Sequence, residues 1–396
     1  MVGIKYFPNN LNIENKTIII RLDYNVPLKE MEIQDATRIS LTLPFLKELI
    51  RKKAKVIIIS HLGRPEGYVD KKFSLLPIYK FLKKEINTNI FFYTGNINNE
   101  TKSKSSLLKP GEVLLLENIR FNKGEKENDD TFAKNLGELG EIYVNDAFSC
   151  SHREQASIHK ITKFVKQSYA GPLLKKEVES INLVIGSKKN PVACIIGGSK
   201  ISTKISVISK LIQSVDSIVI VGAMANNFLS YEGFNVGKSL TEKNTKNIID
   251  KIYSEAKKNN CKIVIPEDCG VAKKYEGPGT FKEQKLINDD EIILDIGPKT
   301  IKKIEKIIDG SNTVLWNGPA GYFENEKFSV GTNAIANKIS QNTIDKSLIS
   351  VIGGGDTLSA INKIKKELIF SHLSTAGGAF LEFLEGKDLP GLSVLK

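Results

Sequence analysis

Beyond residue 153 the chain contains no arginine. Of its 57 basic residues only six are Arg, at 21, 38, 51, 64, 120 and 153. Cysteine is scarce as well. Cys150, Cys194, Cys261 and Cys269 form no C-x-x-C pair, which argues against a disulfide framework or a zinc ribbon and fits a reducing compartment. No apolar run is long enough to span a bilayer, and residues 1–10 lack a basic stretch followed by an apolar one. Neither membrane insertion nor secretion is expected, and the expected location is the cytoplasm. The phosphate loop G-x-x-x-x-G-K-[ST] is absent, which excludes that class of nucleotide enzyme. No G-x-G-x-x-G opens the first strand–helix unit, which speaks against a nicotinamide-dependent dehydrogenase.

The net charge of +12 over 396 residues invites a nucleic-acid reading. The lysines, however, are spread along the whole chain without a tract, and no helix-turn-helix, finger or RNP signature accompanies them. They read as solvated faces. Against that background the arginines carry information. A chain that uses Lys wherever positive charge suffices keeps Arg where a planar, two-pronged donor is needed, as in gripping phosphate or carboxylate. Five of the six stand beside unusual polar residues at the ends of apolar runs. Arg51, in Arg51-Lys52-Lys53, is a solvated helix end.

Strand-like runs alternate with helical spacing throughout. Residues 17–22, 55–60, 90–93, 113–116 and 141–144 read as strands, with helices over 41–53, 75–85 and 130–139. The second half repeats the theme, with strands at 192–196, 217–221, 262–266, 313–316 and 348–352. Helices are expected over 202–214, 244–258, 331–340 and 357–366. This alternation predicts an α/β protein of two doubly wound parallel-sheet, Rossmann-like domains. In such sheets ligands bind just beyond the carboxyl ends of the strands.

Four N-terminal strand ends carry polar clusters: Arg21-x-Asp23-x-Asn25, His61-Leu62-Gly63-Arg64, Glu117-Asn118-Ile119-Arg120, and Asn145-Asp146 followed by His152-Arg153. Arg38 opens a helix. Together Arg38, Arg64, Arg120, Arg153, His61 and His152 make a basin for a small, multiply anionic ligand, with Asp23 and Asn25 suited to hydroxyl groups. Any one of these histidines alone would more often be an ordinary buried histidine. The second half offers glycine-rich strand-to-helix turns instead: Gly197-Gly198-Ser199-Lys200, Gly353-Gly354-Gly355-Asp356-Thr357 and Ser374–Ala379. Such turns bring backbone N–H groups and helix N-termini to phosphate. Lys200 and Lys204, four apart, are expected on one helix face. Asp356 suits Mg²⁺. Asn317–Glu324 follows another strand, and Glu324 could accept from ribose hydroxyls. A single turn of this kind would mean only helix–strand packing; three with two lysines point to nucleotide phosphates.

With these motifs in view the chain resembles the phosphoglycerate kinase family along essentially its whole length. Residues 21–27 (RLDYNVP), 61–65 (HLGRP), 116–121 (LENIRF), 144–148 (VNDAF), 295–298 (DIGP), 316–319 (WNGP), 353–357 (GGGDT) and 371–378 (SHLSTAGG) occur in the family's order. The resemblance implies reversible phosphoryl transfer from 1,3-bisphosphoglycerate to ADP, giving 3-phosphoglycerate and ATP. It implies direct in-line transfer, with Mg²⁺ and with hinge closure of two domains facing each other across a cleft. It implies a phosphoglycerate site at Asp23, Asn25, Arg38, His61, Arg64, Arg120 and Arg153, with a less direct role for His152. It implies a nucleotide site at Gly198, Ser199, Lys200, Lys204, Asn317, Pro319, Glu324, Gly353, Gly354, Gly355, Asp356 and Thr357, with Asp356 the metal ligand. Arg38, Lys200 and Lys204 are the expected catalytic cations.

The expected domains are residues 1–170, joined by the returning tail 385–396; a connecting helix over 171–187; and residues 188–384. A monomer acting on small molecules, neither nucleic acid nor membrane, is expected. The alternatives from the residues alone are a dehydrogenase and a non-catalytic nucleotide-binding protein. Ala36 and Thr203 stand where the family commonly has Asp, Ala223 and Ala376 where it has Gly, and Ser149-Cys150 where it has Gly-Thr.

Overall fold

The computed structural model describes residues 3–186 and 190–396. Residues 187–189, at the expected junction of connecting helix and second domain, lie outside the described residues, as do residues 1–2. The chain divides into two compact units, Met1–Val178 with Asp388–Lys396, and Glu179–Lys387. The first division falls inside the helix Pro172–Ile185. The second falls three residues later than the expected 385, because residues 385–387 finish the helix Gly378–Leu384. Glu385 N–H donates to the Leu381 carbonyl, Gly386 to Phe383 and Lys387 to Glu382.

The first unit is built on six parallel strands: β1 (Thr17–Arg21), β2 (Lys55–Ile59), β3 (Ile90–Tyr93), β4 (Val113–Leu116), β5 (Ile142–Asn145) and β6 (Gln167–Ala170), in the spatial order β3-β4-β2-β1-β5-β6. Runs such as Ile18-Ile19-Ile20 are apolar without alternation because both faces of a parallel sheet are covered. Ile18, Ile20, Val56 and Ile58 enter one core, and Ile19, Ile57 and Ile59 the other. Strand order reverses at β1, so the ends of β1, β2 and β5 flank the place where a ligand belongs.

The tail returns to this unit. Lys5 N–H donates to the Leu395 carbonyl at 2.7 Å, and Gly391 N–H to Ser151 at 2.9 Å. Leu389, Leu392 and Leu395 are buried.

The second unit repeats the design. Strands β7 (Val192–Ile196), β8 (Ser217–Ile220), β9 (Lys262–Val264), β13 (Thr313–Asn317), β14 (Ile349–Gly353) and β15 (His372–Ser374) form a parallel sheet in the order β9-β8-β7-β13-β14-β15. Between β9 and β13 lie β10 (Asp268–Ala272), β11 (Thr280–Glu283) and β12 (Ile292–Ile296), an antiparallel sheet ordered β11-β10-β12 that the sequence reading did not include.

Candidate functional site

In the first unit the polar residues after β1, β2, β4 and β5 meet. Asp23 is the hub. Its Oδ2 accepts from Arg38 Nη1 at 2.9 Å and from Ser149 Oγ at 2.5 Å, and its Oδ1 from the Asn25 N–H at 3.0 Å. Burial pushes the Asp23 carboxyl up, but the Arg38 guanidinium and these hydrogen bonds outweigh it and hold the group below the usual carboxylate range. Arg38, second residue of the helix Thr37–Arg51, also donates to the Asn25 carbonyl at 3.0 Å. Asn25 Oδ1 accepts the Gly63 N–H at 2.8 Å, and Arg120 Nη1 donates to the Gly63 carbonyl at 2.8 Å. These bonds lock the loop after β2 against the loops after β1 and β4.

Arg120 is 2% exposed, and its Nε and Nη2 have no hydrogen-bond partner among the described residues. Burial lowers its pKa to about 10, with Arg21 and Arg153 adding to the effect. A buried guanidinium with two nitrogens unpaired carries a desolvation penalty that an anion removes. His61 is buried beside it. Burial holds His61 well below the ordinary histidine range, and Arg21, Arg120 and Arg153 press the same way against the pull of Asp23. The imidazole is therefore neutral, and the 3.8 Å separation of its Nδ1 from Asp23 Oδ1 is no ion pair. Arg153 Nε donates to His152 Nε2 at 3.2 Å, next to the cluster. Arg64 follows Gly63 and is exposed; its side chain is not tied into this network.

Two participants, Arg21 and Glu125, are absent from the expected site set, although Arg21 opens one of its motifs. Arg21, fully buried at the end of β1, donates through Nε to Ser157 Oγ at 3.0 Å, and its Nη2 lies 3.2 Å from His61 Nδ1. The buried Glu125 reaches it through Ser157, accepting from Ser157 Oγ at 2.6 Å and N at 2.8 Å. Ser149 was noted only as a departure from the family pattern, yet its hydroxyl secures Asp23. The signal available for Arg21 was its being an arginine at all.

In the second unit the loops after β7, β8, β13 and β14 converge. Gly318 has φ +102°, and a Cβ there would lie 2.3 Å from the Gly197 carbonyl oxygen; a Cβ on Gly197 would lie 2.2 Å from the Pro319 carbonyl oxygen. Only glycine permits this backbone-on-backbone approach. Lys204 Nζ donates to the Gly197 carbonyl at 2.6 Å and to Asn317 Oδ1 at 2.5 Å. Asn317 Nδ2 donates in turn to the Gly353 carbonyl at 2.8 Å. Thr357 Oγ1 accepts the Gly318 N–H at 2.7 Å and donates to the Gly353 carbonyl at 2.9 Å. Burial lowers the Lys204 pKa to about 8, against an opposing pull from Asp356. Gly354, with φ +103°, precedes the helix Gly355–Asn362, whose first turn carries the exposed Asp356.

One expectation fails here. Lys200 and Lys204 do not share a helix face, because the helix begins only at Ile205. Gly198 takes φ +134°, and Ser202 N–H and Oγ both bond Glu242, which hold the intervening segment in turns. Lys204 is left at the cap position and Lys200 exposed outside the helix.

A cavity of about 290 Å³ adjoins this network. Gly198, Ser199, Pro319, Glu324 and Asp356 line it, as do Ala223, Leu240, Tyr275 and Phe323. Lys200 is not among its lining residues. An apolar slot with a glycine-rich rim at one side and a carboxylate at a helix N-terminus has the chemistry of a magnesium–nucleotide site.

Comparison with known proteins identifies the family. The family model "Phosphoglycerate kinase" matches residues 9–387. The phosphoglycerate kinase of Wolbachia sp. subsp. Drosophila simulans (strain wRi) is 44% identical over 389 residues, covering 98% of this chain and 97% of that one. That of Chelativorans sp. (strain BNC1) is 40% identical over 398 residues, covering 100% of both. Among solved structures, phosphoglycerate kinase from Coxiella burnetii superposes with a TM-score of 0.90 at 40% identity, over 98% of this chain and 97% of that one. The chain belongs to the phosphoglycerate kinase family.

Proposed function

We propose that this chain carries out the family's reaction with the two clusters just described: 1,3-bisphosphoglycerate or 3-phosphoglycerate on the first unit, ADP or ATP on the second, and a phosphoryl group passing directly between them. The observation that carries the reading is the buried Arg120 guanidinium with Nε and Nη2 unpaired, set among Arg21, Arg153 and His61. Such a site requires an anionic occupant. The dehydrogenase alternative has no support from the family match.

In the ATP-consuming direction the nucleophile is the carboxylate of 3-phosphoglycerate. Carboxylic acids ionise near pH 4, so no general base is needed. The protein's contribution is alignment and charge neutralisation. In this reading Asp23 and Asn25 bind substrate hydroxyl, His61 supplies an uncharged polar group, and Arg64, Arg120 and Arg153 grip phosphate. Arg38, held on Asp23 without ligand, neutralises charge on the migrating group together with Lys204, and Lys200 does so from the loop. On the nucleotide side, Gly198 and Ser199, Pro319 and Asn317, and Gly353–Thr357 cradle the phosphates while Glu324 accepts from the ribose. Asp356 would hold Mg²⁺, which when bound neutralises the β- and γ-phosphate oxygens. Because the two ligand sets belong to different units, hinge closure is part of the proposed cycle.

The test is a coupled assay for ATP formation from 1,3-bisphosphoglycerate and ADP, with and without Mg²⁺. Magnesium-dependent ATP formation is expected. Its absence in well-folded protein would falsify the reading.

A further inference from the structure

Arg21 is fully buried, and among the described residues no carboxylate bonds it directly. Its Nη1 donates to the Leu22 carbonyl, its Nη2 faces His61 Nδ1 at 3.2 Å and Cys150 Sγ at 3.9 Å, and its Nε donates to Ser157 Oγ at 3.0 Å. Burial pushes the Cys150 thiol up, so that neighbour is uncharged. A buried cation needs a countercharge. Glu125 supplies it one bond further on. It lies in the short helix Lys123–Lys126, is buried as well, and grips a single residue with both oxygens. Its Oε1 accepts from Ser157 Oγ at 2.6 Å and its Oε2 from the Ser157 N–H at 2.8 Å. A hydroxyl has one proton to give. A carboxylate only accepts, so that proton goes to Glu125, and the lone pairs of Ser157 Oγ are left for Arg21, which only donates. Every bond in the chain Glu125–Ser157–Arg21–His61 therefore has a fixed direction. The chain ends on His61 Nδ1. All the hydrogen-bond contacts of His61 among the described residues are at that atom, which leaves Nε2–H for a ligand.

We propose that Glu125 is a positioning residue for phosphoglycerate binding: through the Ser157 hydroxyl it holds Arg21 against His61 and so keeps the imidazole donating into the anion site. The proposal rests on the reading of this cluster as the phosphoglycerate site and adds the group behind it that sets the polarity of one of its donors. Glu125 itself touches no substrate. Its charge also reaches Arg120, where it opposes the burial that lowers the pKa of that guanidinium. Without the carboxylate, Arg21 keeps only neutral partners. It is then free to leave Nδ1, and the ring is free to take the tautomer in which Nε2 accepts and repels the oxygens of an anion. Losing a hydrogen bond to a charged group is worth roughly 10- to 100-fold in binding.

The experiment measures steady-state kinetics with 3-phosphoglycerate and MgATP, and the ¹⁵N signals of the His61 ring, in the wild type, Glu125→Gln, Ser157→Ala and the double variant. The wild-type ring should carry its proton on Nε2. Each single variant should raise KM for 3-phosphoglycerate about tenfold, leave KM for ATP within about twofold, and move the ring signals toward the other tautomer. The double variant should match the singles, because either change breaks the same chain; independent losses would multiply to about 100-fold. Ser157→Ala keeps the Glu125 bond to the backbone N–H of residue 157, so it carries the test if Glu125→Gln does not fold. A wild-type ring protonated on Nδ1 overturns the proposal without any variant. Folded variants with an unchanged KM for 3-phosphoglycerate, equal losses for both substrates, or losses that multiply overturn it too. A wild type inactive with 3-phosphoglycerate and MgATP defeats the reading of the site and this proposal with it, whereas an active wild type whose variants bind 3-phosphoglycerate normally defeats this proposal alone.

Discussion

The Nη2 of Arg21 lies 3.2 Å from the Nδ1 of His61, and both side chains are buried. A guanidinium is always a donor, so Nδ1 accepts and the ring proton resides on Nε2. A second proton on this ring would have to sit between Nδ1 and a fixed positive charge. His61 is thereby held neutral, its Nε2–H left as the donor.

His61 should accordingly titrate below the ordinary histidine value of about 6.5. Burial is the main cause, with Arg21, Arg120 and Arg153 assisting. Below about pH 6.5 the unfolded chain binds a proton that the folded chain refuses, so this residue makes stability fall as the pH falls. NMR of ¹⁵N-labelled histidine checks it: one of the four histidines should stay neutral well below pH 6.5, and that resonance should be lost in His61→Gln. A His61 resonance titrating at 6.5 contradicts the assignment.

Arg38→Ala should lower kcat by roughly 10³-fold, the scale at which a phosphate-neutralising arginine acts, while leaving the KM for ADP within a few-fold of wild type. Asp23 and the Asn25 carbonyl would lose a hydrogen-bond partner, so the melting temperature should be followed alongside. Near-normal turnover in a folded variant removes Arg38 from the transition state.

In the proposed reaction Lys204 acts as a cation, and burial lowers its pKa to about 8. The charged form is the one present below that value. In the free enzyme kcat/KM for ADP should therefore decline as pH rises through about 8, and Lys204→Met should lower kcat roughly 100-fold and abolish that limb. A flat profile between pH 7 and 9 in the wild type would contradict it.

Gly318→Ala should destabilise the second unit by about 3 kcal/mol, since a Cβ would clash with the Gly197 carbonyl and the backbone would be strained at φ +102°. A urea-unfolding midpoint provides the measurement. Little change in midpoint would show that the turn can move aside.

Apolar strands were legible because their patterning is unambiguous: Ile90–Tyr93, Val113–Leu116 and Val192–Ile196 stand where the sequence places them. The antiparallel sheet was not. Asp268–Ala272 mixes acid, cysteine and glycine, and Thr280–Glu283 is largely polar, so neither shows a period. The helix Asn99–Ser106 also has no apolar stripe; it is held by the reciprocal cap of Asn98 and Thr101. At the sites, motifs marked where polar residues gather, but they did not show which of them bond one another or which act through a neighbour. Arg21 reads as the last residue of a strand, and its orienting role exists only because β1 and β2 run side by side and bring His61 to it.

The last nine residues belong to the first unit, whereas the second is continuous in sequence from Glu179 to Lys387. During synthesis the second lobe can close as soon as its own stretch has emerged, while the first, whose sheet is made before it, must wait for Leu389, Leu392 and Leu395. A chain interrupted before Asp388 would therefore leave the older lobe with an open hydrophobic seam, and the younger one intact.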